Sequence, residues 1–305
     1  MENLHAIIPT YLEYVQNYKR LDEKTLKAYR IDLKQFNVYI SNCTELSITK
    51  IIEDYISGLH KQYKPKTVKR KIASLKAFFR YMEYKDITEI NPFNKIQIRF
   101  REPVILPKTI PLHLIEALLS ALYKQKTQTK TFHEYNCIVR DIAVIELLFA
   151  TGMRISELCT LKPGSVDLID QKILILGKGR KERQLQISNP DVLTAINSYY
   201  SIFKDKIKKA GYYFINRLGH RLSEQSVRNM INKYTTIAGI DLHITPHMFR
   251  HSFATLLLEE DVDIRYIQEM LGHSSINVTE IYTHVAISKQ KTILETKHPR
   301  NKLSW

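Results

Sequence analysis

The amino-acid sequence predicts a mainly α-helical protein with a small antiparallel β-sheet. Apolar residues recur at intervals of three or four over much of the chain, which is the spacing of a buried helix face. Two short apolar segments flank a glycine-containing turn near the middle of the chain and predict a β-hairpin. A proline-rich stretch separates a helical first third from a longer, mixed part, so two domains are expected among the 305 residues.

The first part of the chain is expected to form a helical domain spanning residues 1–102. Segments 22–40 and 65–83 both repeat apolar residues at helical spacing. Pro65 suits the first turn of its helix, because an amide at that position has no partner within the helix.

The helix predicted at 65–83 has a second face that carries only positive charge. Eight basic residues and no acidic residue lie between positions 61 and 80. An exposed helix usually mixes both signs, so this pattern favours a surface that contacts the DNA backbone over an ordinary solvated face. The candidate DNA-binding residues are Lys66, Lys69, Lys76 and Arg80.

Three prolines spaced four residues apart predict a linker at residues 103–111, because repeated prolines interrupt regular helix. Residues 112–305 would then form the second domain. An apolar helix is predicted at 139–151, with Gly152 ending it, whereas the polar segment 124–137 is interpreted as a surface loop.

Two strands are predicted at 172–176 and 182–187, on either side of a turn with the sequence GKGRK. Lys178 lies between the two glycines of this turn. The pattern of a nucleotide-binding P-loop is missing. The lysine is therefore either ordinary turn chemistry or a mobile ammonium group that can enter a groove and donate a proton.

The composition favours a polyanionic partner. Lysine and arginine number 46 against 31 acidic residues, which gives a net charge of +15 and a pI of about 9.5. No run of 18 apolar residues is present and the N-terminus is not typical of a signal peptide, so we expect neither a membrane span nor export. Three widely spaced cysteines make a disulfide framework or a zinc knuckle improbable and favour a cytoplasmic protein with reduced thiols.

A helix predicted at 246–259 begins with Thr245 as a candidate cap and with a proline in its first turn. His247 and Arg250 share a face near its N-terminus, a place that suits a phosphate group. A zinc site at histidines 243, 247 and 251 is disfavoured, because Pro246 leaves the first histidine outside the helix and no HExxH motif is present.

Arg154 follows the helix break at Gly152, and Glu157 is placed to hold its guanidinium group. A further helix predicted at 263–271 ends at Gly272, and His273 follows immediately. Tyr282 lies in the helix expected after it. Taken singly, each of these residues is more often a surface or packing residue than a functional one.

Taken in chain order, the segments ATGMRISEL, GKGRKER, HMFRHSFAT, LGHSS and IYTHV resemble the motif series of the tyrosine recombinase (phage integrase) family. The family's six active-site positions are matched by Arg154, Lys178, His247, Arg250, His273 and Tyr282. The ending KHPR resembles the bacterial Xer branch of the family. Minor departures are Asp261, where Xer-like sequences often have glycine, and the segment 124–137.

The resemblance implies a helical core-binding (SAM-like) domain, followed by an α+β catalytic domain of the tyrosine recombinase type. It further implies a site-specific recombinase that acts through a 3′-phosphotyrosyl intermediate and a Holliday junction, without cofactor or metal. Its partners would be double-stranded DNA sites, on which a free monomer assembles into a homotetramer. Integration or excision of a mobile element and chromosome dimer resolution both remain open, as does an accessory protein.

In the mechanism that the resemblance implies, Tyr282 attacks the phosphorus while Arg154 and Arg250 grip the nonbridging oxygens. Lys178 protonates the departing 5′ oxygen, His247 assists proton removal from the tyrosine, and His273 hydrogen-bonds the phosphate. The turn residues Arg180 and Lys181 are further candidates for DNA binding.

Three alternatives are weighed against this interpretation. A type IB topoisomerase would share the residue set but relax DNA as a monomer. A non-catalytic DNA-binding relative is disfavoured by the intact set of six residues. A metal-dependent nuclease would lose its activity in EDTA.

Overall fold

A computed structural model describes residues 4–43, 47–98, 108–177 and 182–272. The chain divides into two units, Met1–Ile105 and Leu106–Trp305. The predicted fold class, mainly helical with a small antiparallel sheet, is confirmed. Among the described residues, no helix is both long enough and apolar enough to cross a bilayer.

The first unit is helical in its described residues. Its helices are α1 (Leu4–Asn17), α2 (Glu23–Ser41), α3 (Ile48–Gln62) and α4 (Pro65–Tyr84), followed by a 3-10 turn at Pro92–Asn94. The helices predicted at 22–40 and 65–83 are therefore confirmed as α2 and α4. Asp22 caps α2 by accepting a hydrogen bond from the amide of Thr25 at 2.9 Å.

A buried polar cluster joins α2 to α4 inside this unit. The carboxylate of Asp32 accepts hydrogen bonds from the Lys71 ammonium at 3.1 Å and from the Ser74 hydroxyl at 2.9 Å, and it also pairs with Arg70. A buried carboxylate is tolerated only when it is paired and hydrogen-bonded, so this cluster fixes the register of the two helices. Lys71 is therefore buried and does not contribute to the exposed positive charge of α4.

The second unit contains seven of the described helices. They are α5 (Leu112–Thr127), α6 (Phe132–Thr151), α7 (Ile155–Thr160), α8 (Pro190–Ala210), α9 (Glu224–Ile237), α10 (Pro246–Glu259) and α11 (Ile264–Leu271). Helix α6 is central, because nearly every side chain from Ile138 to Leu148 is buried. The predicted helices at 139–151, 246–259 and 263–271 are confirmed as parts or the whole of α6, α10 and α11.

The interpretation of residues 124–137 as a surface loop is wrong. Helix α5 continues to Thr127 and α6 begins at Phe132. The α6 N-terminus carries a capping box, in which the Thr131 hydroxyl accepts from the Glu134 amide at 3.1 Å and the Glu134 carboxylate accepts from the Thr131 amide at 3.3 Å. The T-x-x-E pattern was the local signal for this helix start, and the surrounding polar residues concealed it.

Over the described ranges, the sheet has three antiparallel strands in the order β1-β2-β3. They are β1 (Val166–Asp167), β2 (Lys172–Leu176) and β3 (Glu182–Gln186). The predicted hairpin strands are therefore confirmed. In the register of the hairpin, Ile175 lies opposite Arg183 and Leu176 lies opposite Glu182. Residues 178–181, which join β2 to β3, lie outside the described residues.

Candidate active site

Arg154 stands at the N-terminal end of α7, directly after the break at Gly152. Glu157 holds it in two ways: its Oε2 accepts from the Arg154 backbone amide at 2.8 Å, and its Oε1 accepts from Arg154 Nη1 at 2.8 Å. The contact expected from the sequence between these two side chains is therefore present. It fixes both the start of the helix and the direction of the guanidinium group.

Arg183 is a third member of this cluster and was missed by the sequence reasoning. Its Nη2 donates to Glu157 Oε2 at 2.7 Å, its Nη1 donates to Glu157 Oε1 at 3.1 Å, and its Nε donates to the carbonyl oxygen of Met270 at 2.8 Å. Only 8% of its side chain is exposed. The available signal was its strand position, since side chains alternate along β3 and Arg183 lies on the same face as the buried Leu185.

The shared carboxylate is ionised. Burial by itself raises the pKa of Glu157, but hydrogen bonds from Arg183 and from the Arg154 amide outweigh this effect, so the pKa lies below its ordinary value. A buried negative charge therefore lies between two guanidinium groups.

Arg250 lies on α10 and is 5% exposed. Its Nη1 donates to the carbonyl oxygen of Gly152 at 2.9 Å, and its Nη2 donates to the carbonyl oxygen of Leu271 at 2.7 Å. One guanidinium group thus joins the end of α6 to the end of α11. The carbonyls of Met270 and Leu271, which are adjacent in the chain, bind Arg183 and Arg250 respectively.

Two glycines in the left-handed conformation let these segments approach closely. Gly152 has a φ of 56°, and a Cβ atom there would lie 2.8 Å from the Phe253 ring. Gly272 has a φ of 65°, and a Cβ atom there would lie 3.0 Å from Cδ of Arg183. Both positions therefore favour glycine, for the backbone conformation and for the space, and the space is tightest at Gly152.

His247 lies in the first turn of α10, where part of its surface is exposed and its ring is partly shielded from solvent. Burial of the ring lowers its pKa, and the positive charges of Arg250, Arg228 and Arg154 lower it further. His247 is therefore neutral at pH 7 and able to accept a proton. Arg228 on α9, which sequence reasoning did not find, also pairs with Glu224 at 3.0 Å.

The predicted cap of α10 is wrong in its detail. Thr245 precedes the helix, but its side chain makes no capping hydrogen bond. Its backbone carbonyl instead accepts from the Met248 amide at 2.9 Å.

The other predicted site residues divide into two groups. The four candidate DNA-binding side chains of α4 are all exposed, as a DNA-contacting face requires: Lys66, Lys69, Lys76 and Arg80. The remaining candidates lie outside the described residues: Lys178, Arg180, Lys181, His273 and Tyr282. The described cluster of two fixed arginines and a neutral histidine has the chemistry to bind a phosphodiester and to accept a proton beside it.

Comparison with family models gives two matches. Residues 115–289 match the phage integrase family, and residues 8–85 match the phage integrase N-terminal SAM-like domain. The first match alone covers more than half of the chain.

Similar curated proteins match this chain over nearly its whole length. A tyrosine recombinase of Agathobacter rectalis is 60% identical over 301 residues, which cover 98% of each chain. Tyrosine recombinase XerC of Bacillus subtilis is 31% identical and also covers 98% of each chain. Tyrosine recombinase XerD of Listeria innocua is 33% identical and covers 97% of this chain and 100% of its own.

Solved structures of related fold include XerH site-specific recombinase in a post-cleavage complex with palindromic difH substrate. It has a TM-score of 0.75 and 22% identity, covering 95% of this chain and 84% of its own. A lambda integrase tetramer bound to a Holliday junction has a TM-score of 0.68 and 17% identity, covering 91% of this chain and 76% of its own. These similarities show the same fold.

Proposed function

The chain belongs to the phage integrase family and is a tyrosine recombinase, a DNA strand-transfer enzyme, and from this premise we propose that Tyr282 is its nucleophile. The observation that carries the phosphate-binding part of this proposal is the position of Arg250. It bonds the Gly152 turn, which leads to Arg154, to Leu271, which stands two residues before His273. Three of the six proposed catalytic residues, Arg154, His247 and Arg250, lie on the described segments that this side chain joins.

In this proposal Arg154 and Arg250 bind the two nonbridging oxygens of the scissile phosphate. Guanidinium groups suit this task because their planar N–H donors match phosphate oxygens and remain charged at any pH the protein meets. Both are held by contacts within the protein, so little reorganisation is needed when negative charge develops on the oxygens.

Proton transfers are assigned to the other members of the set. His247, whose pKa is lowered by burial and by nearby positive charges, assists removal of the Tyr282 proton as the phenolic oxygen attacks phosphorus. Lys178 protonates the departing 5′ oxygen, and His273 hydrogen-bonds the phosphate. The phosphotyrosyl bond keeps the energy of the broken diester and a phenolate leaves readily, so the reverse attack by a 5′ hydroxyl needs neither ATP nor metal.

For the domains, we assign DNA-core binding to residues 1–102 and catalysis to residues 112–305, with 103–111 as a linker. The exposed lysines and arginine of α4 would contact the DNA backbone, as would Arg180 and Lys181. Because its relatives include a tetramer bound to a Holliday junction, the chain is proposed to act as a homotetramer on two DNA sites and to be a monomer when free. Its setting would be the cytoplasm, in mobile-element integration or excision or in chromosome dimer resolution.

Covalent capture tests the nucleophile and finds the target together. Wild-type protein is mixed with DNA of the source genome in EDTA and denatured in SDS, and the protein-linked ends are sequenced. Discrete sites are expected with the wild type and none with Tyr282→Phe. Tyr266→Phe is the matched control, since Tyr266 on α11 is 61% exposed and has no assigned role.

Two other outcomes would count against the proposal. Capture spread over arbitrary sequences would instead indicate a topoisomerase-like relaxing activity. Capture that persists in Tyr282→Phe would assign the nucleophile to another residue.

A further inference from the structure

Arg183 does not belong to the six active-site positions of the family, yet its contacts connect it to two of them. Each of its three nitrogens donates a hydrogen bond, two to Glu157 and one to Met270. Glu157 holds Arg154 on the other side, and the residue after Met270 accepts from Arg250. Arg183 therefore shares a carboxylate with Arg154, and its other acceptor is adjacent in the chain to an acceptor of Arg250. These are the two arginines to which phosphate binding is assigned.

The cluster of Arg154, Glu157 and Arg183 carries a net positive charge. Glu157 is 6% exposed at its side chain, and its carboxylate accepts from both Arg154 and Arg183. One negative charge between two guanidinium groups leaves a net charge of +1. If Arg183 were neutral, Glu157 and Arg154 would form a neutral pair. The carboxylate of this pair is buried but the Arg154 side chain is 35% exposed, so solvent screens their attraction only in part.

We propose that Arg183 is a positioning residue that balances the charge of Glu157, so that Arg154 keeps its positive charge for the scissile phosphate. This inference rests on the phosphate-binding role proposed for Arg154. The bond from Arg183 to Met270 adds a geometric component, because it anchors the Glu157–Arg154 pair to the end of α11 that also binds Arg250.

A purely structural role is the alternative that the test must exclude. Gly272 leaves just enough room for the Arg183 side chain, with 3.0 Å between an added Cβ atom and Nη1, so the side chain is closely packed. A residue that only supports the fold would slow every substrate equally. A residue that acts on the charge of Arg154 would matter less when the phosphate itself carries no charge.

The experiment measures single-turnover cleavage by the full chain on nicked duplexes that carry a site found by covalent capture. One duplex has the ordinary diester and the other a methylphosphonate, which lacks the negative charge, at the scissile position. Arg183→Gln should slow diester cleavage about tenfold or more, since removing a full oxyanion donor costs about 10²–10³-fold. The loss on the methylphosphonate should be several-fold smaller, and Arg183→Lys, which keeps the charge, should stay closer to the wild type.

A second variant separates charge from packing. Combining Arg183→Gln with Glu157→Gln removes one charge of each sign and restores a net charge of +1 through Arg154. Charge balancing predicts that this double variant cleaves the diester faster than Arg183→Gln alone, although it has lost more of the native contacts. If Arg183→Gln does not fold, as judged by its thermal unfolding, the double variant is compared with the wild type on both duplexes instead.

The outcomes distinguish the positioning role of Arg183 from the phosphate-binding role proposed for Arg154. Equal losses on the two duplexes and no recovery in the double variant would overturn the role of Arg183. Arg154→Ala is the reference: it should lose activity on the diester and lose less on the methylphosphonate. If Arg154→Ala cleaved the diester like the wild type, the assignment of Arg154 would fail and the inference would fail with it.

Discussion

The Nη1 atom of Arg250 donates a hydrogen bond to the carbonyl oxygen of Gly152 at 2.9 Å, across a separation of 98 positions in the chain. This bond joins α10 to the turn after α6. Gly152 can occupy that turn because its φ of 56° is accessible to glycine and because its α-carbon faces Phe253 and Leu271 without a side chain. The same glycine therefore takes part both in the packing of these helices and in holding Arg250, for which phosphate binding is proposed.

Gly152→Ala should destabilise the protein strongly. An added Cβ atom would lie 2.8 Å from the Phe253 ring and 2.9 Å from Leu271 Cδ2. Left-handed backbone costs a non-glycine residue about 1–2 kcal/mol, and overpacking adds about 1–3 kcal/mol. Urea unfolding measures the sum.

Gly211→Ala is the matched control for this change. Gly211 also has a positive φ, 66°, but in the described part of the chain, its sequence neighbours aside, nothing lies within 4 Å of an added Cβ atom. It should therefore show the backbone cost alone. Equal losses of unfolding free energy in the two variants would mean that the clash at position 152 is relieved at no cost.

Two buried tyrosines differ in whether the hydroxyl has a partner. Tyr234 donates to the Asp141 carboxylate at 2.9 Å, whereas the buried hydroxyl of Tyr213 has no hydrogen-bond partner among the residues that the structure describes. Tyr234→Phe should cost about 1–3 kcal/mol of unfolding free energy, because a buried carboxylate loses a donor. Tyr213→Phe should be neutral or stabilising. Urea unfolding of both variants checks the difference, and a larger loss in Tyr213→Phe would refute the assignment of the hydrogen bonds.

Most of the correct predictions of helix ends rested on single residues at those ends. Gly152, Gly272 and Pro246 punctuate helices through backbone preferences that act within one turn, so the bounds of α6, α10 and α11 were predictable at those ends. The error at 124–137 had the opposite cause: the ends of α5 and α6 are polar because they are exposed, and polarity there resembles a loop.

The contacts of Arg183 could not be predicted from local sequence patterns. Its partners lie 26 positions before it, at Glu157, and 87 positions after it, at Met270. Only the folded chain brings these residues together. The strand alternation of β3 predicts that Arg183 faces inward, but no pattern in the sequence identifies which carboxylate it meets.

The lowered pKa values of two histidines on α10 predict how stability depends on pH. Burial and nearby positive charges, including Arg250, lower the pKa of His247 and of His251 below 6.5. As the pH falls below this value, the unfolded chain takes up these protons before the folded protein does. The stabilisation is therefore complete above the unfolded pKa and decreases as the pH falls through it.

Urea unfolding between pH 7.5 and 5.5 measures this effect. The wild type should lose more unfolding free energy over this range than a variant carrying His247→Gln and His251→Gln. Titration of Glu157 does not affect the unfolding free energy in this pH range. Its pKa is lowered from 4.5, so its contribution to stability is lost only at more acidic pH. Parallel profiles for the two proteins would show that the histidines are not perturbed in the folded state.

The basic face of α4, formed by Lys66, Lys69, Lys76 and Arg80, should act through the DNA backbone rather than through base reading. Combined charge reversal, Lys69→Glu with Lys76→Glu, is expected to weaken binding to all DNA sequences alike. If both lysines contact phosphates, the slope of log affinity against log salt should fall by about one for each lysine. A binding titration at several salt concentrations measures both quantities.

The control carries the same change of charge elsewhere in the same unit. Lys19→Glu with Lys50→Glu alters two exposed lysines that lie outside α4. A salt slope that falls only in the α4 pair would locate the contacts on that helix, since net charge is equal in the two variants. Equal weakening in both pairs would show instead that DNA responds to the total charge of the protein, and unchanged affinity in the α4 pair would remove this face from the DNA interface.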